Sequence, residues 1–266
     1  MDDTTLRALE TRLQYLKNLQ ARRDEVKSSI ESQGKLTDDL KNKILAAETL
    51  VVVEDLYRPY KPKRRTRATI AKEKGLEPLA GVITLQMIKT PLIEEAAKYV
   101  DAEKGVTTAE EAIAGASDII AESISDEADY RTHIRDLTVK KGRMTSTAKD
   151  PEAESVYEMY YDFDEPVAKL AGHRILAVNR GEKEKFLTVK IEAPQEDILR
   201  YLEKKVIVRD NPQTNEVLRD VVRDAYDRLI APAIEREIRS NLTECAEDGA
   251  IRVFGKNLEQ LLMQPP

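Results

Sequence analysis

Apolar residues that recur at steps of three and four constrain this chain more than any other feature. Leu6, Leu9, Leu13, Leu16, Leu19, Val26 and Ile30 follow that spacing with almost only polar residues between them, which places them on one stripe of a helix. Gly34 ends the stripe. Thr37, followed by Asp38 and Asp39, then has the makings of a second helix start: a hydroxyl to accept a free amide N–H, and carboxylates where the helix dipole is positive. With Leu40, Ile44, Leu45 and Leu50 facing inward and only a short loop between the two stripes, residues 1–50 predict an antiparallel helical hairpin.

The composition agrees with a helical chain. Aromatic residues make up 5%, tryptophan is absent, and 10 glycines with 11 prolines are too few for a many-turned β-sandwich. The 41% of apolar residues in 266 suffice for a sizeable core, which excludes collagen, low-complexity and wholly disordered chains. Charged residues reach 35%, with 43 basic against 49 acidic for a net of -6, so a uniformly basic nucleic-acid binder is excluded too. The expected fold class is mainly α: a multi-helix array with a helix-turn-helix-like element and at most a small β-hairpin or short sheet.

Residues 51–150 are expected to hold a basic connector, the helix-turn-helix-like element and a charge-segregated helical region. Pro59 and Pro62 break the helical pattern and stiffen the connector, since each lacks an amide hydrogen and pushes its predecessor toward extended backbone. The pattern resumes at Thr66, and a short helix, Gly75 and a second apolar helix follow. Residues 101–130 carry nine acids against Lys104, and 131–149 carry six bases against Asp136. Ala112, Ala116, Ile119, Ile120 and Ile124 keep helical spacing inside the acidic part, so it reads as a packed helix. Residues 151–266 read as a helical region with a small β element and long C-terminal helices kinked near Pro232. Strand character is confined to Thr138–Thr147 and Phe186–Ile191, and the chain runs out at Pro265 and Pro266, which reads as a piece of a longer protein.

The densest charge feature is Arg58, Lys61, Lys63, Arg64, Arg65 and Arg67, six cations and no acid within ten residues. A strip like this suits phosphate, because every phosphate neutralised releases counterions. Tyr57 and Tyr60 beside it are candidate stacking residues for bases. The competing reading pairs the strip with the acidic helix at 101–129 and makes the tyrosines core anchors.

Catalytic chemistry finds no support. His133 and His173 stand apart from any cysteine and from each other, which argues against a metal, and Cys245, between Glu244 and Glu247, is a poor nucleophile. No glycine-rich phosphate loop is present, no cofactor is expected, and the chain reads as a non-enzyme. The first twenty residues lack an apolar signal core, and the least charged stretch, Gly75–Ile88, is too short to span a bilayer. The expectation is a cytoplasmic protein with no membrane partner.

The segment EDLYRPYKPKRRTRATIAKEKGLEPLA at 54–80 closely resembles the signature of the bacterial Tex family of transcription accessory proteins. The similarity extends to LRALETRLQYLKNL near the start, YVDAEKGV at 99–106, YYDFDEPVAKLAGHRILAVNRGEKE at 160–184 and AEDGAIRVFGKNLEQLLMQPP at 246–266. The resemblance implies a larger cytoplasmic protein. In it, a helical region with a helix-turn-helix precedes a YqgF-type, RNase H-like domain, helix-hairpin-helix elements and an OB-fold RNA-binding domain. It also implies kinship with a eukaryotic elongation factor that associates with RNA polymerase and histones. Against that pattern this sequence is short at both ends. The expected function is a helical scaffold of a nucleic-acid-binding transcription accessory protein, with RNA or DNA and RNA polymerase as the partners implied. The alternative is a protein-interaction module that docks on polymerase or on the parent protein's other domains.

Overall fold

Helix boundaries in the computed structural model, which describes residues 3–263, fall where local chemistry permits them. Helix α1 (Asp3–Ser32) stops at Gly34. Gly34 takes φ +66, and Gly34 N–H and Lys35 N–H turn back to the carbonyls of Glu31 at 2.8 Å and Ile30 at 3.2 Å. Helix α2 (Asp38–Ala46) starts as expected, with the Thr37 hydroxyl accepting from Leu40 N–H at 3.2 Å. Helix α3 (Leu50–Tyr57) completes a core with Leu19, Val26, Ile30, Ile44 and Val53 at its centre. Only the C-terminal part of the α1 stripe enters that core. Leu6, Leu9, Leu13 and Leu16 keep 44–58% of their surface exposed.

Helix α4 (Arg67–Glu73) and helix α5 (Glu77–Leu85) form the expected helix, glycine, helix sequence. Gly75, at φ +81, allows the same reversal seen after α1, with Leu76 N–H reaching Ala71 O at 3.1 Å. Together with helix α6 (Leu92–Ala97) they pack on helix α7 (Ala109–Asp126), whose buried face is the predicted Ala112, Ala116, Ile119, Ile120 and Ile124.

The chain divides into two compact units, 1–132 with 209–221, and 133–208 with 222–266. This differs from the three consecutive segments expected from sequence. The division falls inside helix α8 (Ala128–Lys141) and again inside helix α11 (Asn215–Asp224). Residues 209–221 return to the first unit through polar contacts: Arg209 N–H donates to Gln86 Oε1 at 3.0 Å, and Asn211 Nδ2 donates to the carbonyls of Gln86 and Ile88.

In the second unit an antiparallel sheet runs in the order β2 (Asp162–Pro166), β1 (Arg143–Ala148), β3 (Leu187–Glu192). Met144 faces Glu165 on one side and Ile191 on the other. The sheet departs from expectation in two places. Residues 138–141 are the last turn of α8, not strand, because the Thr138 hydroxyl satisfies itself on Ile134 O at 2.7 Å and Lys140 and Lys141 suit a helix C-terminus. Strand β2, acidic and ending in Pro166, has no strand signature. It forms at a sheet edge, where a missing N–H costs nothing.

Helix α9 (Gly172–Lys183) packs on β3 and on helix α12 (Ala231–Leu262). Helix α10 (Gln195–Val206), which buries Ile198 and Leu202, was not anticipated. Just before Pro232, where a kink is expected, the helix widens into a π turn, Ala225–Ile230, in which Ala231 N–H reaches Tyr226 O. Pro232 has no N–H for the carbonyl four residues back, and a wider turn absorbs that loss. The far end of α12, with Ile251, Phe254, Leu258, Leu261 and Leu262, is exposed. Pro265 and Pro266 lie outside the described residues.

Candidate nucleic-acid interface

The strip 58–67 connects the end of α3 to the start of α4 in the first unit. A turn holds its beginning, with Tyr60 N–H and Lys61 N–H on Tyr57 O at 2.9 and 3.0 Å. At its end the Thr66 hydroxyl caps α4 through Thr69 N–H at 3.1 Å. The six cations between these anchors separate into two groups.

Arg58 and Lys63 turn inward. Arg58 Nε donates to Asp126 Oδ1 at 3.0 Å, and Lys63 Nζ donates to Glu122 Oε1 at 2.7 Å and to Asp126. Both carboxylates stand in the final turns of α7, where the exposed carbonyls of a helix end add to the negative potential. Of the two readings weighed from sequence, internal pairing with the acidic helix thus describes these two cations.

The remaining four face water. Lys61 lies 3.8 Å from Glu54, and Arg65 lies 2.8 Å from Glu73 with 68% of its side chain exposed. Exposed pairs of this kind contribute about 0–1 kcal/mol and open easily to a competing anion. Arg64 and Arg67 are exposed and form no ion pair among the described residues.

The tyrosines are not alike either. Tyr57 is a core residue, 8% exposed, its hydroxyl sharing a 2.9 Å hydrogen bond with the Ser29 hydroxyl and its ring lying under Arg22 at 5.5 Å. The expectation that it stacks on bases is therefore corrected: the apolar core of the hairpin takes its ring. Tyr60 is half-buried against the same core, and its carbonyl accepts from Gln33 Nε2 at 3.0 Å. No other platform for bases stands in the strip.

Glu122 shows how tightly the inward pair is held. Burial pushes its carboxyl up, but the Lys63 ammonium and the Thr66 hydroxyl, 2.8 Å away, outweigh burial and hold it below the usual carboxylate range. A depressed acid adds stability that is complete above its unfolded pKa of about 4.3 and is lost as pH falls through the lower folded value. The first unit is therefore expected to lose stability as pH drops below about 4.3, and Glu122→Gln is expected to flatten that part of a urea-midpoint against pH profile.

One buried ion pair escaped the sequence reading. Arg131 Nε donates to Asp55 Oδ1 at 2.6 Å, with side-chain exposures of 4% and 6%. Its signal was an aspartate inside the apolar run 50–57. His133, whose isolation in the sequence argues against a metal, stacks on Tyr201 with ring centres 3.8 Å apart. Cys245 is exposed. Among the described residues no group of three His, Cys, Asp or Glu is disposed to hold a metal ion, and no helix is long and apolar enough to cross a membrane.

Comparison with known proteins adds the decisive observation: residues 89–254, more than half of the chain, match the Tex central region-like family. The chain belongs to that family. The uncharacterized protein YdcI of Bacillus subtilis is 50% identical over 269 residues, an alignment that covers all of this chain and 37% of YdcI. The transcriptional accessory protein Tex of Neisseria gonorrhoeae is 38% identical over 274 residues and is covered to 36%. Human S1 RNA-binding domain-containing protein 1 is 27% identical over 282 residues and is covered to 28%. This Tex-family chain thus spans about a third of the length of the bacterial relatives it matches. The segment matched to the Tex central region contains Glu122 and Asp126 but not the strip, whereas the relatives align over the strip as well.

Proposed function

We propose that this chain is the helical scaffold of a longer Tex-type transcription accessory protein and that Lys61, Arg64, Arg65 and Arg67 contact nucleic-acid phosphate. The observation that carries the reading is the exposure of Arg64 and Arg67 without an ion pair among the described residues, in a chain whose net charge is -6. Unpaired guanidinium groups on an acidic protein add little to stability, while each one that meets a phosphate displaces a counterion. Arg58 and Lys63 are left out of the contact because Asp126 and Glu122 already hold them. The names of two relatives, a transcriptional accessory protein and an S1 RNA-binding domain protein, support nucleic acid as the parent protein's ligand. The reading is of a cytoplasmic, non-catalytic protein.

Fluorescence anisotropy with labelled single-stranded RNA and duplex DNA, from about 50 to about 200 mM salt, tests it. Replacing Lys61, Arg64, Arg65 and Arg67 by glutamine is expected to weaken binding at least tenfold and to make the salt slope shallower by about three. Arg58→Gln with Lys63→Gln should leave the slope unchanged. Equal binding by the fourfold variant would remove the strip from the interface. Intact RNA on a gel after the titration is the expected result for a non-enzyme, and turnover would contradict it.

A second reading, a module that docks on RNA polymerase or on the parent protein's other domains, is favoured by the exposed leucine stripe of α1, since contiguous apolar surface marks protein contacts. Retention of polymerase by the chain after nuclease treatment, lost when Leu9 and Leu13 become serine, would support it.

A further inference from the structure

The connection between β1 and β2 in the second unit turns its aromatic side chains inward and its aliphatic ones to water. Tyr157 and Tyr160 are 4% and 7% exposed, whereas Val156 and Met159 keep 85% and 76% of their surface in solvent. No other large apolar side chain among the described residues is as exposed as Val156. The arrangement is held from beneath. The Tyr157 hydroxyl donates to Glu184 Oε2 at 2.8 Å, Tyr157 N–H to the Ser155 hydroxyl at 3.0 Å, and the Ser146 hydroxyl to the Tyr160 carbonyl at 2.6 Å. The Tyr160 ring meets Phe163 edge-on with centres 5.5 Å apart, and the Tyr161 hydroxyl donates to the Ala153 carbonyl. Each of these contacts fixes a residue close to Val156 or Met159, so neither aliphatic group can turn inward without displacing a tyrosine anchor.

The surroundings of the pair carry one sign of charge. Residues 150–162 hold Asp150, Glu152, Glu154, Glu158 and Asp162 and no base, and these five acids are all exposed. None of them forms an ion pair among the described residues, although the next acids along the chain, Asp164 and Glu165, meet Arg143 and Arg174. An apolar centre inside a polar rim is the usual make-up of a protein contact surface.

The chemistry of the rim selects the occupant. Nucleic acid and anionic lipid are repelled by it, and a purely apolar surface would take water from the carboxylates without offering a countercharge. A polypeptide that carries lysine or arginine beside apolar side chains meets both requirements. Its apolar groups leave water against Val156 and against Met159, whose unbranched thioether adapts to the surface it meets, while its cations reach the rim without burying any charge. We infer that residues 150–162 form a docking patch for a basic polypeptide segment, anchored on Val156 and Met159 and oriented by the surrounding carboxylates. The inference rests neither on the phosphate-contact reading nor on the α1 stripe, both of which concern the first unit.

The whole chain labelled with carbon-13 at its methionine methyl groups gives a reading local to the patch, because Met159 is exposed and Met144 is 1% exposed. The probe is an acetylated, amidated Lys-Leu-Lys-Lys-Leu-Lys-Lys-Leu-Lys peptide. Its controls carry serine for leucine or glutamate for lysine. At low salt the probe is expected to shift the Met159 signal to saturation and to leave Met144 in place. The serine peptide, and the probe on Val156→Ser, should each bind about tenfold more weakly or worse. Glu154→Gln with Glu158→Gln should weaken binding and flatten its salt dependence, and the glutamate peptide should not bind. The three substituted side chains are exposed and make no hydrogen bond or ion pair among the described residues, so melting temperatures should stay at the wild-type value. Shifts at Met87 or Met263 without one at Met159, or wild-type affinity in both variants, overturn the inference. A Met159 shift that depends on protein concentration alone identifies a second copy as the occupant and overturns it as well.

Discussion

Asp55→Ala is expected to destabilise the first unit by about 3–5 kcal/mol, because it leaves the Arg131 guanidinium buried without its counterion. Arg131 is already stretched: its Nη1 is buried with no hydrogen-bond partner. Removing the carboxylate therefore costs a desolvated charge in addition to a hydrogen bond. Replacing both partners with apolar residues of similar size, Asp55→Leu with Arg131→Met, should recover most of the loss, since neither charge then needs desolvation. Urea midpoints at constant m, compared among wild type, single and double variants, measure this. A single variant within about 0.5 kcal/mol of wild type would show that the pair carries no such cost.

Gly142→Ala should cost about 3 kcal/mol, the upper end of what overpacking usually does. An alanine Cβ there would lie 2.3 Å from Thr138 O and 3.2 Å from Glu192 O. Both are backbone atoms of regular elements and cannot swing aside as a side chain could. Gly142 also donates to Thr138 O at 2.7 Å and accepts from Val167 N–H at 2.9 Å, so it joins the end of α8 to the start of the central strand. Relief requires shifting the helix end or the sheet. Gly249→Ala is the matched control: nothing lies within 4 Å of its added Cβ, it sits inside α12, and alanine there should stabilise by about 0.5–1 kcal/mol. Thermal melting of the two variants should therefore move in opposite directions.

How much of this was legible beforehand depends on the distance over which each decision was made. The hairpin of α1 and α2, the Thr37 cap, the glycine turns at 34 and 75, and the buried face of α7 all followed from spacing and local hydrogen-bond chemistry within a few residues. Errors arose where local signals were balanced or absent. Thr138 and Val139 carry β-branched side chains that favour a strand, yet they finish a helix because the preceding turns are helical and Ile134 O is available to the hydroxyl. Strand β2 has no apolar alternation, and only pairing with β1 makes it a strand. Conversely, the leucines at 6, 9, 13 and 16 lie on the expected apolar stripe but are exposed, since periodicity identifies a face without identifying what covers it.

The candidate interface divides in the same way. The run of six cations is plain in the sequence, and so is an acidic helix able to compete for them. Which cations pair was not. Lys63 meets Glu122 across 59 residues and Arg58 meets Asp126 across 68, and both depend on where the end of α7 lies beside the connector. Tyr57 and Tyr60 are three residues apart and equally aromatic, but only the packing of α3 on α1 removes the first from any surface role.

By itself, then, the order of residues determined the helical class, most helix ends, the charge of the strip and membership of the Tex family. Those properties are set by backbone hydrogen bonds four residues apart, by capping groups and by similarity along the chain. Tertiary structure alone decided which four of six cations stay in water, which tyrosine beside the strip is core, and that Val156 and Met159 stand in water while Tyr157 and Tyr160 are buried. Charge partnership and burial depend on groups far apart in sequence, whose separation is settled only when the helices pack.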